Sequence, residues 1–143
     1  MRVPVDPNEI LKFIVEAKAA TYVGIGQATT SSRNASIDLE YSRGDFSYWD
    51  SYFGGKDFLG EEIIWFQSKP IWGENYYGKV LHPGVITPEE TGKMIKASLS
   101  KQYLEGRFLG GFYYELMDLI YIDKNEGDWQ SFIGEETITR DGI

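Results

Sequence analysis

Apolar residues recur every three or four positions just after Asp6-Pro7-Asn8-Glu9, at Ile10, Leu11, Ile14 and Val15. That period lays one face of a helix against a core. Asp6 stands at the N-cap, Pro7 suits the first helical position, and Glu9 completes a capping box. The helix is expected to reach Ala19 or Ala20 before Gly24 and Gly26 break it. Residues 27–35, small and polar, read as a mobile loop.

From Ile37 the period changes to two. Ile37, Leu39 and Tyr41 alternate with polar residues, and Phe46 to Phe53, Glu61 to Gln67 and Ile71 to Val80 predict three more strands. The intervening turns, among them Arg43-Gly44-Asp45 and Ser68-Lys69-Pro70, are too short for crossovers, so the strands pair as antiparallel hairpins. After His82-Pro83-Gly84, Thr87-Pro88-Glu89-Glu90 repeats the signals of a helix start. Met94, Ile95, Leu99 and Tyr103 form that helix's apolar face, Glu89 and Lys93 pair along it, and it ends before Gly106. Strands at about 111–116, 119–123 and 129–139 close the chain.

One stretch is written twice. F-L-G-E-E-I-I at 58–64 returns as F-I-G-E-E-T-I at 132–138, identical at five of seven positions. Upstream, Gly44-Asp45-Phe46 matches Gly127-Asp128-Trp129, and Leu39-Glu40-Tyr41 matches Leu119-Ile120-Tyr121, with about ten extra residues around Tyr48 to Lys56 in the first half. The pattern predicts an internal duplication of a helix-plus-hairpin unit, with half repeats at about 6–80 and 87–143. The competing reading is two edge hairpins that share turn chemistry. The second repeat stops where the first continues, so either one half carries an extra hairpin strand or the chain is shorter than its relatives. The expected fold is α+β: one domain, 1–143, with an antiparallel sheet of about six strands and two helices on one face.

Charge and composition narrow the function. A net charge of −8 and a pI near 4.6 leave no basic footprint for direct nucleic-acid binding and disfavour anionic membranes. There is no cysteine and a single histidine, His82, in a turn, which argues against a zinc site or a catalytic triad, and no cofactor is expected. Gly24-x-Gly26 is too short for a dinucleotide fingerprint, and Arg43-Gly44-Asp45 is a hairpin turn. The absence of cysteine and of a signal-like N-terminus fits a cytoplasmic protein.

Candidate chemistry lies with carboxylates and rings. Glu61-Glu62 and Glu135-Glu136 sit in strands, where neighbours face opposite sides, so one of each pair points inward. Trp49, Trp65, Trp72, Tyr76 and Tyr77 belong to an aromatic cluster too large for one sheet face. Rings beside a desolvated Glu would hold a hydrophobic cation or a hydrogen-bond donor. The leading expectation is a small-molecule-binding or sensor domain, not an enzyme. The alternatives are a carboxylate-dependent hydrolase and an interaction module forming a homodimer through its aromatic face.

Y-F-G-G, F-L-G-E-E-I-I-W and I-W-G-E-N-Y-Y-G-K-V between Tyr52 and Val80, with the closing G-D-W-Q-S-F-I-G-E-E, resemble a family of uncharacterised prokaryotic domains. Some of its members are fused to helix-turn-helix regulators. The resemblance implies no activity. More loosely, two helix-plus-hairpin repeats look like the duplicated small-molecule-binding domains of drug-responsive regulators, where rings and a Glu hold hydrophobic cations.

Overall fold

The computed structural model describes residues 5–22 and 28–143. Gly24, Gly26 and the start of the expected loop lie outside them, as do the first four residues. The chain divides into two compact units, Met1–Lys79 and Val80–Ile143.

In the first unit, helix α1 (Pro7–Ala20) precedes strands β1 (Ile37–Arg43), β2 (Phe46–Gly54), β3 (Asp57–Phe66) and β4 (Lys69–Lys79). The strands form one antiparallel sheet in chain order. Asp6 caps α1 by accepting the Asn8 N–H at 2.9 Å. The helix turns Phe13, Ile14 and Ala17 inward, all with no exposed surface. Phe13 stacks on Phe46 at 4.7 Å and on Tyr41 at 5.8 Å, which fixes α1 on the inner face of the sheet. Burying a side chain such as Phe13 or Ile14 contributes about 1.5–3 kcal/mol.

In the second unit, helix α2 (Pro88–Leu104) precedes β5 (Phe112–Leu116), β6 (Leu119–Asp128) and β7 (Ser131–Arg140), a three-stranded antiparallel sheet. Thr87 and Glu90 close a reciprocal capping box, and Lys93 pairs with Glu89 at 2.9 Å. Met94, Ser98, Leu99 and Gln102 are the buried residues of α2, and Leu119 and Tyr121 are buried on β6.

The α+β class and antiparallel pairing are as expected. The single sheet of about six strands is not: there are sheets of four and three, each with its own helix. Alternation shows where a strand runs but not which edges meet, and every pairing here is between neighbours in the chain.

The two hairpin sets share their registers. Tyr41 opposes Tyr48 as Tyr114 opposes Tyr121, and Leu39 opposes Asp50 as Phe112 opposes Asp123, a displacement of 73 positions in the first two strands and 74 in the third. Asp50 opposes Glu62 as Asp123 opposes Glu136. Gly54 and Gly127 both adopt positive φ, +90° and +98°, and a Cβ on either would sit about 2 Å from the carbonyl oxygen of Asp57 or Ser131. The expected match of Gly44 with Gly127 is therefore corrected. Gly44 (φ +60°) corresponds to Met117 (φ +56°) in the first turn of each sheet, and no ten-residue insertion is needed.

Candidate functional site

The inner face of the first sheet carries an acidic cluster. Alternation along β2 turns Phe46, Tyr48 and Asp50 toward α1, and register aligns Glu62 of β3 with both Asp50 and Glu74. Lys18, on the buried side of α1, places its Nζ 2.7 Å from Glu62 Oε2 and 2.6 Å from Glu74 Oε1. The same ammonium lies 5.7 Å from the Trp72 ring centroid. Tyr48 donates its hydroxyl to Glu62 Oε1, and Tyr76 donates to Asp50 Oδ1 at 2.5 Å. Lys18 and Glu62 are each only 6% exposed.

Protonation follows from this crowding. Burial alone would raise Glu62, but the Lys18 ammonium and hydrogen bonds from Glu74, Lys18 and Tyr48 hold it below the usual range. Glu74 moves well above that range, through burial and then the charge of Glu62, against the opposing pull of Lys18. Burial, with Glu62 nearby, lifts Asp50 to about 7. Three carboxyl groups thus share one lysine, and two of them hold protons more tightly than a free carboxylate does.

The outer face is organised around Arg33 and Asp38. The segment at 29–36 folds back on β1, with the Thr29 N–H donating to the Asp38 carbonyl at 2.8 Å. The Asp38 carboxylate accepts from the Ser32 N–H at 2.9 Å and from Ser36, Ser51 and the Trp49 indole at 2.8, 2.7 and 3.1 Å. Burial would raise Asp38, but the serine hydrogen bonds outweigh it and hold the group far below its ordinary value. Arg33 lies over the Phe53 and Trp49 rings, 4.7 and 5.5 Å from their centroids, and bonds Ser51 Oγ at 2.7 Å. Glu61 is 3.9 Å from the same guanidinium. Trp49 and Trp65 meet edge to face at 6.3 Å beside a shallow, open depression that Glu40, Ser42 and Ser47 also line.

The nine residues singled out from sequence therefore occupy different places. Glu62, Trp72 and Tyr76 come together on the inner face of the first sheet. Glu61, Trp49 and Trp65 lie on its outer face, and Tyr77 is 72% exposed. Glu135 and Glu136 belong to the second sheet, where both are exposed and Glu136 accepts from Tyr121 at 2.8 Å. Beside them Asp123 is buried, which raises its pKa against the hydrogen bonds of Gln102 and Asn125.

Sequence reasoning missed Lys18, Asp50, Glu74, Arg33 and Asp38. Lys18 had a signal: it continues the apolar stripe of Leu11, Ile14 and Val15 one turn further. Asp50 and Glu74 alternate in phase with Tyr48, Trp72 and Tyr76, and so share their face. Each aromatic-plus-Glu arrangement in the first unit already holds a cation of the chain itself, Lys18 within and Arg33 without.

Among the described residues no group of three or more His, Cys, Asp or Glu side chains could hold a metal ion, and no helix is long and apolar enough to cross a membrane. No curated protein and no solved structure matches the chain. One family model does match, over residues 50–143. That span runs from Asp50 in β2 through both F-x-G-E-E strands, and the chain belongs to this family, the domain of unknown function DUF5680.

Proposed function

We propose that this protein is a small-molecule-binding domain whose recognition element is the acidic cluster on the inner face of the first sheet. The observation that carries the reading is the imbalance there: Asp50, Glu62 and Glu74 share the face with Lys18, and burial beside Glu62 raises the pKa of Asp50 and Glu74. A core selected for stability alone gains little from such a cluster, because desolvating charges costs more than their pairing returns. Strongly perturbed carboxyls gather where binding or chemistry needs them. A cationic or donor-bearing ligand with an apolar body fits the set, its charge on the carboxyls and its body on Trp72 and Tyr76. β4 is an edge strand, and its inward residues Glu74 and Tyr76 are half-buried, so the approach is over β4.

The shared registers of the two sheets support reading the units as copies of one helix-plus-hairpin element, as do the matching positive-φ glycines Gly54 and Gly127. That duplication would be the architecture expected of a sensor domain. The warrant from architecture is weaker than the one from the cluster.

The test is thermal stability against aromatic cations, their neutral analogues and anions, on the wild type and on Glu62→Gln and Glu74→Gln. Ligand that binds the native state raises the melting temperature by mass action. A rise with cations alone, lost in Glu74→Gln, is expected; equal responses from cations and anions, or none from either, would remove the reading.

A second reading has its own observation. Asp50 and Glu62 face each other across neighbouring strands, one pushed up toward neutrality and the other held ionised, the separation an acid–base pair requires. Hydrolytic turnover abolished equally by Asp50→Asn and Glu62→Gln would favour it over binding.

A further inference from the structure

β7 is an edge strand, whereas its counterpart β3 is flanked on both sides. In the first sheet the second flank is β4, in a register that sets Tyr76 opposite Gly60, Glu74 opposite Glu62 and Trp72 opposite Ile64. Gly60 leaves room for the tyrosine: a Cβ there would stand 2.5 Å from the Tyr76 hydroxyl oxygen and 2.6 Å from its ring carbon. Gly134 is the matching residue of β7, and a Cβ there would meet nothing closer than Asn125 Cβ at 3.5 Å. The same ring-sized notch exists on β7, open. Residues 133–137 are all exposed, Ile133 to 82%.

We propose that the open edge of β7 receives, by antiparallel strand addition, an extended basic segment of a partner protein. An added strand takes affinity from main-chain hydrogen bonds and specificity from alternate side chains. The register of β3 with β4 gives the pattern: an aromatic residue facing Ile138, a basic residue facing Glu136 and a tyrosine facing Gly134. This is W-G-E-N-Y of β4 with its glutamate replaced by a base. The base follows from charge. Glu136, the counterpart of Glu62, is exposed, so a base opposite it meets its carboxylate directly. Exposed Glu135 and Glu136 and a net charge of −8 favour a cationic strand. A second copy fits poorly, because its β7 brings two more exposed glutamates to an edge that already carries Glu135 and Glu136.

The probes are two synthetic peptides, K-P-I-W-G-E-N-Y-Y-G-K and the same peptide with Glu74→Lys. Binding is followed by fluorescence anisotropy to millimolar concentration, and its place by amide hydrogen exchange. The expected result is several-fold tighter binding of the lysine peptide, slowed exchange at 132–138, and loss of both in Gly134→Val. That variant has room for its side chain, and an unchanged melting temperature verifies its fold. No binding by either peptide, protection elsewhere, or binding unaffected by Gly134→Val overturns the proposal. So does a concentration-dependent dimer that protects 132–138 without peptide.

Discussion

Lys18 and Glu62, 44 positions apart in sequence, meet with 2.7 Å between Nζ and Oε2 beneath α1, and neither is more than 6% exposed. Removing one member of a buried ion pair leaves the other charge uncompensated, which costs roughly 3–5 kcal/mol. Lys18→Met keeps the length of the side chain and should lower stability by that much in urea denaturation. Lys18→Met with Glu62→Leu should recover most of the loss. A single variant within about 1 kcal/mol of wild type would mean that the pair is not a structural element.

Stability should fall as pH rises from about 4 to about 7. Asp50 is raised to about 7 in the folded protein and Glu74 is raised well above its ordinary value. The native state therefore holds protons that the unfolded chain has already released, and stability is lost on the way up to the folded pKa. For Asp50 the loss is on the order of 4 kcal/mol. Asp38 and Glu62 are lowered and act in the opposite sense, so stability also falls as pH drops below about 4. Denaturation midpoints across this range should trace a maximum on the acid side of neutrality. Asp50→Asn should flatten the decline above it, and an unchanged slope in that variant would rule Asp50 out as the source.

Gly60 and Gly134 occupy matching places in the two F-x-G-E-E strands but should differ sharply in tolerance. Gly60→Ala drives a methyl group into the Tyr76 ring and Tyr52 Cβ, and should cost about 1–3 kcal/mol. Gly134→Ala meets only ordinary contacts and should stay within about 0.5 kcal/mol of wild type. Comparing the two melting temperatures tests the matched register directly.

Met117 holds a left-handed conformation, φ +56°, where the first sheet has Gly44, and its side chain is 96% exposed. A left-handed backbone costs a non-glycine residue roughly 1–2 kcal/mol and the exposed side chain returns little. Met117→Gly should therefore raise the melting temperature despite shortening the side chain. A fall would show that Met117 contributes through packing instead.

Local signals were legible in the chain, and long-range ones were not. Asp6-Pro7 and Thr87-Pro88 mark both helix starts because caps depend only on neighbouring residues. The alternation at Ile37 and Phe46 marks strands for the same reason. Division into two sheets depends on which edges remain unpaired, and no local pattern encodes that. Among the site residues, Glu62 could be named because a Glu-Glu pair in a strand must point one member inward. Which member it was, and that Lys18 would meet it, depended on the register of β3 and the placement of α1. Arg33 and Asp38 were hidden because a polar segment with no period gives no sign that it will fold back over a sheet.

The cations that the first unit already holds have a kinetic and thermodynamic consequence for any visitor. A side chain tethered beside its carboxylate acts at an effective concentration in the millimolar range or above. A free cation would have to outcompete Lys18, so its apparent affinity would equal its intrinsic affinity scaled by the fraction of time the lysine is displaced. Simple amines would fail that competition. Under the proposed binding reading, only molecules that add ring contacts to their charge would register, and the tethered lysine would act as a threshold.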